Sequence, residues 1–266
     1  MQENNERGLL KNIIFIKMFA RSFFLQAIWN YERMQNVGFA YIMMPLIRHL
    51  YKIPTERSSA VLRQLGFFNT HPYMVSIIMG VIASKETQLA QYDQSDISSE
   101  SESITALKKN MSGPLAAVGD TFFWAIWRPF VALVAICFAL FLYKDGYFRV
   151  AWFIPISFIV FYNIVHIFFR WWTFSMSYTY PQKAISIISE IDIQEAIKII
   201  KILGIFMLAC ALVVYFIRLG LNLENMLALF CIFTGTLYLT GRRVSPNIIF
   251  YSTIALGILL FYIRGH

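Results

Sequence analysis

Charge is what this chain has least of. Asp, Glu, Lys and Arg make up 14% of its 266 residues, where a water-soluble domain carries about a quarter. Apolar side chains fill 58%, more than a compact soluble body of this size can hide. The membrane is the solvent for most of the chain. Cysteine is scarce as well. Cys137, Cys210 and Cys231 lie inside apolar runs, and no pair has redox or metal-ligand spacing, so disulfide and zinc frameworks fall away. His49, His71, His166 and His266 also lack metal-ligand spacing. Met1–Arg7 is polar and carries no cleavable-leader pattern of short apolar core and small-residue site, so insertion is expected to use internal helices. The net charge of +8 lacks clustering. Lys and Arg stand singly at the ends of apolar runs, which fits cytoplasmic loops and anionic headgroups and speaks against nucleic acid. No tandem repeat stands out.

Long uncharged runs are what the chain does have. Residues 150–169 and 244–263 each give twenty uncharged positions, 225–241 seventeen and 202–217 sixteen. Residues 129–143 give fifteen, extended upstream by Phe122, Phe123, Trp124 and Trp127. A bilayer crossing takes about 20 residues, so the second half predicts about five apolar helices. The first half differs. The uncharged stretch 34–47 is only fourteen long, and 64–84 is interrupted by Phe67-Phe68-Asn69-Thr70-His71-Pro72. Pro72 disfavours helical geometry at His71. Irregular backbone at membrane depth is tolerated only where protein buries it or it lines a cavity. The expected fold is therefore all-α and polytopic, with interfacial and re-entrant or broken helices in the N-terminal half. Acidic, serine-rich residues 90–103 read as a disorder-like linker between an N-terminal part (8–89) and a multi-span part (104–266). Loop cations divide six to four, Arg170, Lys183, Lys198, Lys201, Arg242 and Arg243 against Lys144, Arg149, Arg218 and Arg264. That places the six cytoplasmic and the C-terminus outside.

Four blocks hold the unusual chemistry. The first runs from Arg21 to Phe39 and contains Gln26, Trp29, Asn30, Tyr31, Glu32, Arg33, Met34 and Gln35. On a helix, Asn30, Met34 and Val37 would share a face. Amides and a carboxylate beside Trp and Tyr are the groups that bind a sugar, polar atoms to hydroxyls and rings to C–H faces. An interfacial amphipathic helix, with Glu32 and Arg33 meeting water, explains the same residues. The second block is Phe67–Tyr73, in which His71 would either bond a substrate or cap a helix end. Polar groups such as Asn69 at this depth are costly unless paired or functional. The third, Met111–Thr121, has Gly113 and Gly119 six apart and followed by Asp120, so it is not a phosphate-binding P-loop. Gly, Ala and Pro together suit a broken, tightly packed segment. Asp120 is either a functional acid or the N-cap of a helix starting near Thr121. The fourth, Arg242-Arg243-Val244-Ser245-Pro246, reads as a topology anchor. No block supplies a nucleophile with a base.

In this order and spacing, the blocks resemble the signature of the IID component of mannose/fructose/sorbose-type bacterial phosphotransferase systems. That family carries Arg-Ser-x3-Gln-x2-Trp-Asn-Tyr-Glu-Arg-Met-Gln, then Phe-Phe-Asn-Thr-His-Pro. A Gly-Pro-Leu-Ala-Gly-x-Gly-Asp block and a basic Val-Ser-Pro turn follow. The resemblance runs from about Phe19 to the C-terminus and is strongest in 21–73 and 111–129. Ala117 stands for the second Gly of the third block and Ser112 for a Met, and 177–182 and 221–240 depart from the family pattern.

The resemblance implies a multi-pass protein of the bacterial cytoplasmic (inner) membrane that shares a sugar site with a IIC membrane subunit. It implies cytoplasmic IIA and IIB subunits that hold the phosphorylated histidines, and a higher-order oligomer of IIC/IID pairs. The chain would translocate a mannose-type hexose or amino sugar without catalysing phosphoryl transfer and without a cofactor or metal. A divergent scaffold subunit of the IIC/IID complex is the alternative, and a bacteriocin or phage receptor surface is a use the resemblance also implies. On this reading, Asn30, Glu32, Gln35, Asn69, His71 and Asp120 line or support the substrate cavity.

Overall fold

The computed structural model describes residues 2–91, 97–144, 153–190, 194–218, 223–242 and 244–264. Every regular element among them is helical, as the uncharged runs predict. By contacts the chain forms two compact units, Met1–Ile205 and Phe206–His266.

In the first unit, α1 (Gln2–Ser22) buries Ile14 and Met18, four residues apart, and leaves Ile13 and Ile16 exposed. Beyond Ser22 the chain turns repeatedly instead of continuing as a helix. Asn30 and Met34 exchange backbone bonds of 3.0 and 2.9 Å, and Met34 adopts a left-handed φ of 58°. The helical face expected for Asn30, Met34 and Val37 therefore does not form. Packing gives the reason. A Cβ on Gly38 would lie 1.9 Å from the Leu25 carbonyl oxygen, so the chain must fold back at 23–35 to set Leu25 against Gly38. Helix α2 (Asn36–Leu50) carries Pro45 inside it, and α3 (Pro54–Gln64) starts on a proline that needs no hydrogen-bond partner there.

Helix α4 (Val75–Leu89) is buried on all sides from Val75 to Ser84. It meets α7 (Phe153–Thr179) through small residues. A Cβ on Gly80 would fall 2.7 Å from Ser177 Cβ and 2.8 Å from the Phe174 carbonyl. Ser76 and Thr173 share a 2.7 Å hydroxyl bond. Such close backbone approach is how apolar helices pack without a hydrophobic driving force between them.

The third sequence block is not broken. Helix α5 (Ile97–Gly119) passes through a π-helical segment, Asp120–Trp127, into α6 (Arg128–Lys144). Pro114 is accommodated inside α5, where it and Gly113 are exposed. Asp120 is thus neither an N-cap nor the tip of a re-entrant loop. Of the expected linker 90–103, residues 92–96 lie outside the described ones. From Ile97 it is helical, with Glu100 in the first turn, where the helix dipole favours an acid. Lys85 and Ser101 tie this end down, through a 3.5 Å pair to Glu100 and a 2.8 Å bond from Arg63. Helix α8 spans Pro181–Glu190, and α9 (Gln194–Arg218) begins in the first unit.

In the second unit, α10 (Leu223–Gly241) packs on α11 (Pro246–Arg264). Among the described residues, the helical stretches Ile97–Ala139 and Phe153–Thr179 are long and apolar enough to cross a membrane.

Candidate functional site

The first two sequence blocks meet at a backbone pairing. Gln35 N–H donates to the Phe68 carbonyl at 2.8 Å, and Phe68 N–H to the Arg33 carbonyl at 3.3 Å. The Gln35 carboxamide completes the junction. Its Nε2 donates to the Thr70 carbonyl at 2.9 Å and its Oε1 accepts from Thr70 N–H at 3.0 Å. Next to it, Asn36 Nδ2 donates to the Leu65 carbonyl at 2.8 Å, and Asn30 Nδ2 donates to Asn36 Oδ1 at 2.9 Å. Asn30 Oδ1 in turn accepts from Arg33 N–H at 2.8 Å. These amides replace the helix hydrogen bonds that two irregular segments forgo. Gln35 therefore spends its polar atoms on the backbone, and Asn30 spends its own on the backbone and the Asn36 side chain.

His71 is the buried end of the junction, 1% exposed. Its Nδ1 accepts from Tyr73 N–H at 3.2 Å, while Nε2 has no hydrogen-bond partner. The ring packs against Phe123, Trp124 and Tyr73 at centroid distances of 5.5, 4.7 and 4.9 Å. It also closes on Gly119, where a Cβ would come within 2.4 Å of the imidazole. The third block reaches the site here, with Asp120 as the next residue. Burial, and after it the Arg170 charge, lowers the imidazole to about 4. This turn lies outside the two helical stretches long and apolar enough to cross a membrane, and its burial favours the neutral imidazole.

The six residues singled out in the sequence lie on the three segments that meet at this junction, in two roles. Asn30, Gln35 and His71 are internal. Glu32, Asn69 and Asp120 are exposed and offer two carboxylates and an amide outward. Glu32 pairs only with its neighbour Arg33, at 3.2 Å, with 79% of its side chain exposed. Trp29, Tyr31, Phe67 and Trp124 on the same segments are exposed as well. Chemically this is a set of acceptors and ring faces suited to hydroxyl groups.

Sequence reasoning missed what holds the loop from the other side. Lys108, 1% exposed, donates to the carbonyls of Arg63 and Gln64 at 3.1 Å each. It caps the C-terminal end of α3 and faces the Phe39 and Phe68 rings. Glu86, fully buried, accepts two bonds from Arg63 at 2.8 and 2.9 Å, one from Gln64 at 2.7 Å and one from Tyr51 at 2.8 Å. Burial first, and the Glu86 charge second, push the Tyr51 hydroxyl up. The signal that could have found Glu86 is an acid at the end of the apolar stretch 64–84.

A profile of the PTS system mannose/fructose/sorbose family IID component matches residues 10–265. The chain belongs to this family. Among curated IID relatives, the fructose permease IID component of Bacillus subtilis (strain 168) is 39% identical over 135 residues, covering 51% of this chain and 47% of that protein. The mannose-specific EIID component of Escherichia coli (strain K12) is 33% identical over 195 residues, covering 72% and 64%. This IID chain therefore spans between about half and two thirds of the length of these two relatives. A cryo-EM structure of the mannose transporter ManYZ with microcin E492 is similar in fold, at 27% identity and TM-score 0.54, covering 94% of this chain and 95% of that one. Family and apolar helices together make this a membrane protein.

Proposed function

We propose that the chain is the IID membrane subunit of a sugar phosphotransferase system. With a IIC subunit it forms the translocation path for a mannose-type hexose or amino sugar, which the IIB subunit phosphorylates on uptake. Family membership over residues 10–265 carries this reading, and the relatives' names supply the substrate class. The whole chain acts as one membrane domain. Helices α6, α7, α9, α10 and α11 cross the bacterial cytoplasmic membrane, and the first-unit junction stands beside the path. IIA and IIB bind on the cytoplasmic side, and IIC/IID pairs assemble into a larger oligomer.

At the junction, Glu32, Asn69 and Asp120 face the sugar, while Asn30, Gln35 and His71 hold the segments that present them. Support comes from the division between exposed and internally bonded polar groups. Uptake of labelled mannose, fructose and glucosamine, in cells holding the other subunits with and without this gene, tests the function. Loss of uptake for one sugar without the gene is the expected result. Full uptake without it leaves a scaffold role. The ManYZ neighbour was solved with microcin E492, which favours a second use of the outer face as a bacteriocin receptor.

A further inference from the structure

Helices α1 and α2 enclose a cleft of about 220 Å3 lined by Ile14, Lys17, Arg21, Met44, Pro45 and Arg48. It lies apart from the residues assigned to the sugar. Three of its six side chains are cations, and no carboxylate among the described residues pairs with any of them. Lys17 and Arg21 stand four apart on α1, so they share a face. Arg48 approaches from α2. The other three side chains are apolar and partly or wholly buried.

One of the cations is fixed in place by a proline. Pro45 has no N–H to donate to the carbonyl of Tyr41 one turn back. That carbonyl accepts instead from Arg21 Nη1 at 3.0 Å, and the guanidinium lies 4.3 Å above the Tyr41 ring. The carbonyl that Pro45 leaves free thereby holds Arg21 at the cleft. Lys17 and Arg48, both exposed, have no such tether and are free to close on a guest.

We infer that this cleft binds the phosphodiester headgroup of an anionic phospholipid. Three converging cations answer a phosphoryl anion, and Arg offers it a planar fork of donors. A free phosphate would gain nothing from the apolar floor, whereas the glycerol and first acyl carbons of a lipid would cover Ile14, Met44 and Pro45. Ile13, one turn before Lys17 on α1, stays exposed next to these cations and gives the chains a surface to follow. Basic pockets between helices at the membrane surface bind headgroups through this combination. The inference rests on the membrane placement of the chain and not on sugar transport.

Native mass spectrometry of the full chain as isolated in detergent, titrated at fixed salt, tests it. Phosphatidylglycerol should be retained in preference to phosphatidylcholine. Lys17→Gln and Arg48→Gln should each weaken its retention about fivefold, and the pair about thirtyfold, from roughly 1 kcal/mol per cation. Arg48→Lys should keep most of the affinity. The unfolding midpoint in phosphatidylcholine should not move, since neither side chain makes an internal bond. Equal retention of the two lipids would overturn the inference. So would undiminished phosphatidylglycerol binding by the double variant, or inorganic phosphate binding as tightly as the lipid. Sugar uptake can fail in either case without bearing on this result.

Discussion

The Gln35 carboxamide bonds both the N–H and the C=O of Thr70, at 3.0 and 2.9 Å, across 35 residues of sequence. One side chain thereby stands in for a strand partner. It joins two segments that are neither helix nor sheet and keeps the Thr70 backbone satisfied at a position 3% exposed. Asn69, immediately before it, is held facing outward.

Gln35→Ala should therefore leave two buried backbone groups without partners. The expected loss of stability is about 1–3 kcal/mol for each group left unsatisfied. Thermal unfolding in detergent measures it. An unchanged midpoint for Gln35→Ala would show that the clasp carries no weight.

Two glycines of one helix should respond in opposite ways. At Gly119 an added methyl meets His71 within 2.4 Å, whereas at Gly113 nothing lies within 4 Å. Gly119→Ala must push His71 away from Phe123 and is expected to cost about 1–3 kcal/mol through overpacking. Gly113→Ala should be neutral or stabilising by up to about 1 kcal/mol from helix propensity. Equal effects in the two unfolding curves would sink the packing argument.

Acid should loosen the junction. The folded imidazole of His71 is lowered to about 4, against about 6.5 in an unfolded chain. Between those values the unfolded state binds the proton and the folded state does not. Stability is therefore full above pH 6.5 and falls as the pH drops toward 4, by on the order of 2–3 kcal/mol. His71→Asn keeps an acceptor for Tyr73 N–H and removes the titration. Its unfolding midpoint should depend less on pH over this window than that of wild type.

Asn69→Ala and Glu32→Gln should weaken sugar binding by about 1–3 kcal/mol while the complex assembles normally, because neither side chain is used to hold the fold. Stoichiometry of the purified complex followed by sugar titration separates the two effects. Assembled variants that bind as tightly as wild type would remove these residues from the site. Variants that fail to assemble would make them scaffold.

During turnover the chain should carry no phosphoryl group. His71 is 1% exposed and packed against the Phe123, Trp124 and Tyr73 rings, so its free nitrogen is out of reach of a phosphorylated partner. Labelling with radioactive phosphoenolpyruvate and the soluble components should leave this subunit blank. Acid-labile phosphate on it would reassign the chemistry.

Much of this protein was legible in its residue order. Uncharged runs located α7, α9, α10 and α11, because hydrocarbon tolerates only backbone that satisfies itself within one helix. The polar blocks marked the junction for the same reason: Asn30, Gln35, Asn69 and His71 stood where unpaired groups are costly. The motifs then supplied a family that periodicity alone could not.

What the tertiary structure decided was the use of each polar group. Helical spacing put Asn30, Met34 and Val37 on one face, yet Leu25 pressing on Gly38 turned the chain instead. Pro114 and the glycines suggested a break, but α5 continues through a π-helical segment and carries Asp120 along its side. A local pattern records how a segment would fold by itself. Whether Gln35 meets a ligand or the backbone of Thr70 depends on a residue 35 positions away, and only packing brings that residue near.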